Sequence, residues 1–234
     1  MTTLVACSHG TRFDEGRAVV RDLVDAIRAQ LPGVRVEQAF VDVEEPTVAD
    51  VVASVAEDGP AVVVPLLLST GFHTDVDVAD AVAPYPHVVR TRALGPHDLL
   101  ALVLESRLDE APAVDAGRRP GDHVVLAAAG STNPAAVADV EGVADRLRRL
   151  LPCPVTVAYA AGAEPRIPAA VAQARADGAH RVIAASYVLA PGYFANLVAG
   201  AGADVVSRPL GADPRVAAVA VARYRDALAQ PPAS

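Results

Sequence analysis

The chain has 234 residues, of which 52% are hydrophobic, and its formal net charge is −8. This apolar content is enough for one large core or two smaller ones, and the negative charge argues against a general nucleic-acid or anionic-membrane surface. All 20 basic residues are arginine, which excludes Schiff-base lysine chemistry and the lysine of a phosphate-binding loop. We find no leader peptide and no apolar run long enough to span a membrane, so we expect a soluble, cytoplasmic protein.

Valine-rich apolar runs alternate with longer segments of helical period through the first half of the chain. Pro32-Gly33 ends the first helical segment, and Asp58-Gly59-Pro60 ends the second. Strand followed by helix, four times over, predicts βαβ units, right-handed crossovers and a parallel sheet. The predicted strands span 4–7, 34–41, 61–68 and 87–92, and the predicted helices span 19–31, 46–58, 75–82 and 96–108.

The pattern begins again after residues 110–122, which are rich in Pro and Gly and are predicted to form a linker. Four segments recur in the second half in the same order and at nearly constant spacing, which indicates an internal duplication. We therefore predict an α/β fold of two tandem parallel-sheet halves, 1–112 and 121–234, with a cleft between them. The matching pairs are 6–11 with 127–131, 45–46 with 164–165, 68–73 with 189–194, and 94–95 with 210–211.

Two histidines in the first half each follow an apolar run that is predicted to be a strand. His9 follows the first strand and His73 the third. Because parallel strands present their carboxyl ends at one edge of the sheet, both imidazoles are expected in the ligand crevice at that edge. The adjacent Gly10 and Gly71 let the backbone approach a ligand closely. Two neutral imidazoles facing one crevice can hold a divalent metal or move protons near neutral pH.

The second half has different residues at both histidine positions, namely Ala129 and Phe194. A fold that needed histidine there for packing would need it in both copies. We therefore predict a single site, carried by the first half, with the second half as scaffold and one wall.

Carboxylates and arginines near the same sheet edge are candidates for further site residues. Asp42 and Glu45 follow the second strand and could complete a His-His-carboxylate metal site, although they also suit the start of a helix. Glu44 is a weaker candidate than either. Hydroxyl groups at a helix entry and arginine side chains both bind anions well. The residues in question are Ser8, Thr11, Arg12, Arg90 and Arg92.

Three motifs in this order resemble a known family. They are His-Gly-Thr-Arg at 9–12, Phe-Val-Asp-x-x-Glu-Pro at 40–46, and Pro-Leu-Leu-Leu-Ser-x-Gly-x-His at 65–73. Together they resemble the class II tetrapyrrole chelatases, and among these the sirohydrochlorin chelatases of the CbiX and SirB type. The chain is similar to the long members of that family, which are fused duplications.

The resemblance implies insertion of Fe²⁺ or Co²⁺ into sirohydrochlorin, for siroheme or for cobalamin synthesis. It implies that His9 and His73 are catalytic, and that these histidines bind the metal together with Asp42 and Glu45; the family usually has Glu where this chain has Asp42. No organic cofactor is implied, since the divalent metal is a co-substrate, and the fused halves favour a monomer while permitting a dimer. From their chemistry and position, we expect the substrate-binding residues to be Ser8, Gly10, Thr11, Arg12, Gly71, Phe72, Arg90 and Arg92.

Other functions fit the same residues less well. A metal or tetrapyrrole carrier would use the same two histidines without turnover, and this alternative stays open. A histidine phosphatase needs an arginine immediately before the histidine, where this chain has Ser8. A dinucleotide-binding domain needs Gly-x-Gly-x-x-Gly after the first strand, and that motif is missing. The sequence leaves open the identity of the metal and which histidine is the base.

Overall fold

The computed structural model describes residues 2–111, 119 and 121–229, and at residues 72–75 it describes the backbone alone. Most of the predicted linker, 110–122, therefore lies outside the described residues. Within the described part of the chain, no helix combines the length and the apolar character that crossing a membrane requires.

Eight strands and eight helices alternate along the described chain, as the duplication predicts. The strands are β1 (Thr3–Ser8), β2 (Val36–Phe40), β3 (Ala61–Pro65), β4 (Val88–Arg90), β5 (Asp122–Ala128), β6 (Val155–Tyr159), β7 (Arg181–Tyr187) and β8 (Val205–Val206). The helices are α1 (Asp14–Gln30), α2 (Val48–Asp58), α3 (Phe72–Val82), α4 (Asp98–Asp109), α5 (Pro134–Leu150), α6 (Ile167–Ala176), α7 (Tyr193–Ala199) and α8 (Pro214–Ala229).

The strands form two parallel sheets of four, in the orders β2-β1-β3-β4 and β6-β5-β7-β8. In the first sheet β1 lies between β2 and β3, so that Cys7 pairs with both Ala39 and Pro65. Alternate residues of β1 and β3, such as Val5 and Val63, pack against α2 and α3 in one buried core. In the second sheet the same positions pack against α6 and α7. The predicted α/β fold of duplicated parallel sheets is thus confirmed.

The chain divides into two compact units, and each unit is completed by the last helix of the other half of the sequence. The first unit comprises Met1–Leu94 and Ala212–Ser234, and the second comprises Gly95–Gly211. Helix α8 packs on α1 and β3, whereas α4 packs on α5 and β7. The predicted halves, 1–112 and 121–234, follow the repeat in the sequence, and the compact units differ from them by this exchange of helices.

Two predicted boundaries differ from the structure at the edge that carries the candidate site. Strand β3 ends at Pro65 and not at 68, because after Leu66 bonds to the Cys7 carbonyl the chain leaves the sheet. Helix α3 begins at Phe72, three residues earlier than predicted, directly after the extended Gly71. As a result His73 lies in the first turn of a helix.

Candidate functional site

The loop after β1 carries His9 at the carboxyl edge of the first sheet. His9 is exposed, and the residue before it, Ser8, is 3% exposed, with an Oγ that has no hydrogen-bond partner among the described residues. The Ser8 hydroxyl is thus packed inside the unit and is not presented at the surface. Gly10 follows with φ of +93°, and a Cβ built on it would lie 2.0 Å from the Asp42 carbonyl oxygen. Only glycine fits that position.

The loop after β2 is joined to this first loop by backbone hydrogen bonds. The amides of Val41 and Asp42 donate to the carbonyls of Ser8 and His9, each at 2.9 Å. Both candidate carboxylates of this loop, Asp42 and Glu45, are exposed. The Asp42 side chain accepts a hydrogen bond from the next backbone amide at 2.7 Å.

Glu44 is the acidic residue of this loop that sequence reasoning ranked lowest, and it has the most contacts. Its Oε1 accepts a hydrogen bond from the Thr11 amide at 2.8 Å, and its Oε2 lies 3.3 Å from Arg17 Nε. Only 14% of the side chain is exposed. The duplication contains a signal for this role, because the second half has Ala163 at the matching position.

The loop after β3 leads through Gly71 into α3. Because β3 pairs with β1, the start of α3 and the His9 loop lie at the same edge of the same sheet. The side chains of Phe72 and His73 lie outside the described residues, so the predicted pairing of the two imidazoles is untested. Gly71 has φ of −110°, which any residue adopts, so its conformation does not require glycine.

A cavity of about 390 Å³ opens at the carboxyl ends of β3 and β4. Its walls come from segments 65–71 and 90–93 and include Arg90 and Arg92. Arg92 is exposed and has no ion pair or side-chain hydrogen bond within the described residues. At the matching position of the second unit, Arg208 pairs with Glu110 at 2.7 Å. The cavity of the first unit therefore contains an arginine that pairs with none of the acidic side chains the structure describes. Arg12, the remaining candidate arginine, is exposed beside the His9 loop.

The second unit keeps the backbone of the site without its side chains. Gly130 has φ of +90° against the Ala161 carbonyl, as Gly10 has against Asp42. The Ala161 amide donates to the Ala129 carbonyl at 2.9 Å, as Asp42 donates to His9. The one acid retained in this loop, Glu164, is paired with Arg166 at 3.1 Å, whereas Glu45 has no ion pair within the described part of the chain.

Some groups are excluded from the site by burial. Burial, with a smaller contribution from the charge of Asp77, raises the pKa of the Cys7 thiol to about 12, so Cys7 stays protonated near neutral pH. Cys153 is also a buried free thiol. The described side chains, which do not include that of His73, contain no group of three or more His, Cys, Asp or Glu that could hold a metal ion.

The duplicated sheets and the polar edge of the first unit define the class of protein. The same fold occurs in SirB from Bacillus subtilis with Fe³⁺, with a TM-score of 0.78, 20% identity, and coverage of 97% of this chain and 95% of that one. It also occurs in the sirohydrochlorin chelatase SirB from Bacillus subtilis subspecies spizizenii in complex with cobalt, with a TM-score of 0.78, 21% identity, and coverage of 99% and 97%.

The chain belongs to the CbiX family, whose model matches residues 3–111 and 123–227. The resemblance inferred from the three motifs is thus confirmed. A curated relative, the sirohydrochlorin cobaltochelatase of Methanopyrus kandleri, is 35% identical over 80 residues, which is 33% of this chain. The match spans 56% of that relative's length.

Proposed function

We propose that this protein is a sirohydrochlorin chelatase, which inserts Fe²⁺ or Co²⁺ into the macrocycle. The observation that supports it most is the order of chemical groups along one sheet edge of the first unit. Acidic residues follow β2, His9 follows β1, the helix bearing His73 follows β3, and arginines lie at the end of β4 and just after it. Cation-binding and anion-binding groups thus lie on opposite sides of the histidines.

This order suits a reaction between a cation and a polycarboxylate. Asp42 and Glu45 are exposed and without ion pairs among the described residues, so they can attract and hold the divalent metal. Arg92, with Arg90, faces the cavity on the other side and can bind the carboxylates of the tetrapyrrole.

The histidines supply the chemistry between these two sides. Metal insertion forms metal–nitrogen bonds and releases two pyrrole protons, so the site needs a base and a ligand that replaces the water bound to the ion. A neutral imidazole can do either near neutral pH. We assign these tasks to His9 and His73 as a pair.

The rest of the proposal follows from the family. The metal is a substrate, no organic cofactor takes part, and the fused halves act as a monomer in the cytoplasm. Relatives carry both metals in their names, since one is a cobaltochelatase and two SirB structures hold iron or cobalt. Ligand type discriminates weakly between these ions, so we propose either.

The test is anaerobic insertion of Fe²⁺ and Co²⁺ into sirohydrochlorin, followed by absorbance. We expect the wild type to insert metal, and His9→Ala and His73→Ala each to lower the rate at least about 100-fold. The matched control is His180→Ala, because His180 is exposed and lies at the amino end of β7 in the second sheet. This variant should insert metal at the wild-type rate. If the wild type binds metal or tetrapyrrole but inserts metal no faster than the uncatalysed reaction, the protein is a carrier and not a chelatase.

A further inference from the structure

A buried arginine on α8 contacts the backbone of the cavity wall. Arg223 is 5% exposed, and its Nε and Nη2 donate to the carbonyls of Ala93 and Leu94 at 3.0 and 2.7 Å. A guanidinium is planar and has several N–H groups in a fixed arrangement, so it can hold two successive carbonyls at once.

The segment that Arg223 holds is the one that carries the cavity arginines. On its other side this segment is bonded to β3 and the loop after it, because the amides of Thr91 and Leu94 donate to Val63 and Leu67 at 2.9 and 2.8 Å. Arg223 therefore fixes the part of the wall just after Arg92, at Ala93 and Leu94. Arg90 is held by the pairing of β4 with β3, whereas Arg92 lies between the sheet and the end that Arg223 holds.

The second unit contains a related arrangement. Arg107 on α4 is also 5% exposed, but its Nε and Nη2 donate to a single carbonyl, that of Leu210, at 3.2 and 2.8 Å, and its Nη1 donates to Glu110 at 3.0 Å. There the wall arginine, Arg208, is already paired with Glu110. Arg107 thus stabilises its unit in the way Arg223 does, but its loop has no unpaired arginine to present.

We infer that Arg223 is a positioning residue for carboxylate recognition. Its two hydrogen bonds hold the backbone at Ala93 and Leu94, and this backbone sets the direction in which the adjacent Arg92 meets the substrate. The identity of the ligand rests on the proposed function. The inference gives the second half of the sequence a part in the site, since α8 belongs to the first unit.

The experiment compares Arg223→Met with Arg107→Met in the full chain. Each change removes one buried guanidinium, and Arg107→Met also removes an ion pair with Glu110, so thermal stability should fall at least as much in Arg107→Met as in Arg223→Met. In insertion assays we expect Arg223→Met to raise KM for sirohydrochlorin about tenfold and to change kcat less than about twofold, since only substrate binding is weakened. Arg107→Met should leave KM unchanged. Arg223→Lys, which keeps the charge and one donor, should recover part of the affinity, and it decides the question if the Met variant does not fold.

Direct titration of sirohydrochlorin without metal separates the inference from the proposed function. Equal KM values in the two Met variants would overturn the inference and leave a chelatase. If the wild type binds sirohydrochlorin without inserting metal, a rise in Kd confined to the Arg223 variants supports the inference while the proposed function fails. If the wild type does not bind sirohydrochlorin, both fail.

Discussion

The Glu44 carboxylate accepts a hydrogen bond from the Thr11 amide at 2.8 Å, and so joins the loop after β2 to the loop after β1. Arg17 completes the contact, because its Nε lies 3.0 Å from the Thr11 carbonyl and 3.3 Å from Glu44 Oε2. The loop that carries His9 is thereby held by a charged side chain as well as by its own backbone. The second unit, with Ala163 in place of Glu44, lacks this contact.

Glu44→Ala should therefore impair the site by loosening the loop that carries His9. The Thr11 amide and Arg17 both lose a partner, and the His9 loop gains freedom. We expect metal insertion to fall about tenfold, with a loss of about 1 kcal/mol in the free energy of unfolding. The matched control is Glu164→Ala, which removes the acid from the corresponding loop of the second unit and should leave insertion unchanged. Equal rates for the two variants would contradict this role for Glu44.

Gly10 and Gly130 offer a second matched pair. Both have positive φ, and a Cβ at either position would lie 2.0 or 1.9 Å from a carbonyl oxygen of the neighbouring loop. Alanine at either position should lower the free energy of unfolding by about 3 kcal/mol, because the backbone must shift to admit a methyl group. Chemical denaturation measures this loss. Insertion activity should fall with Gly10→Ala alone, and a similar fall with Gly130→Ala would mean that both units contribute to the reaction.

Substitutions of Arg92 and Arg208 test whether the cavity arginine binds the carboxylates of the substrate. Arg92 lines the cavity without an ion pair among the described residues, whereas Arg208 is paired with Glu110. Arg92→Met should weaken sirohydrochlorin binding about tenfold, because a charged hydrogen bond to a carboxylate is lost. The difference in sirohydrochlorin affinity between Arg92→Met and the wild type should shrink as the salt concentration rises, since exposed charges are screened. Arg208→Met should leave binding as it is. If the two variants bind sirohydrochlorin equally well in a titration, Arg92 does not belong to the site.

Much of the fold could be predicted from the sequence because its signals are local. Valine-rich runs bounded by breakers such as Asp58-Gly59-Pro60 place the strands, and the central position of β1 beside β3 brings the His9 loop and the start of α3 to one edge. The role of Glu44 could not be predicted in the same way. Its partner, Thr11, is 33 residues away, and an acid before Pro46 suits a helix start equally well.

Sequence patterns could not predict the exchange of α4 and α8, for a different reason. The two helices are matching elements of the duplication, because each is the last helix of its half of the sequence. Their buried arginines occupy equivalent positions too, so Arg107 and Arg223 give no indication of which unit each joins. Only the packing distinguishes the two arrangements, with α8 on α1 and β3 and with α4 on α5 and β7.

Asp122 lies at the amino end of the second sheet, and we expect it to make the free energy of unfolding depend on pH. It is 4% exposed, and both carboxylate oxygens accept hydrogen bonds from Arg181, at 3.0 and 2.7 Å, while the Arg119 amide adds a third at 2.8 Å. Burial raises the pKa of Asp122, but the bonds from Arg181 and Arg119 outweigh it, so the pKa lies below its ordinary value. The carboxylate therefore stabilises the fold at pH values above the unfolded pKa of about 3.9, and this contribution is lost as the pH falls through the folded value.

Asp122→Asn should remove that contribution. We expect a loss of about 2 kcal/mol at pH 7, because Arg181 loses its charged partner. Between about pH 5 and pH 2 the variant should lose less stability than the wild type, since it has no carboxylate to protonate there. Denaturant unfolding across this range measures both effects. Asp145→Asn, whose ion pair with Arg148 is mostly exposed, is the control and should follow the wild-type profile. Parallel profiles for Asp122→Asn and the wild type would show that Asp122 has the same pKa in the folded and unfolded chain.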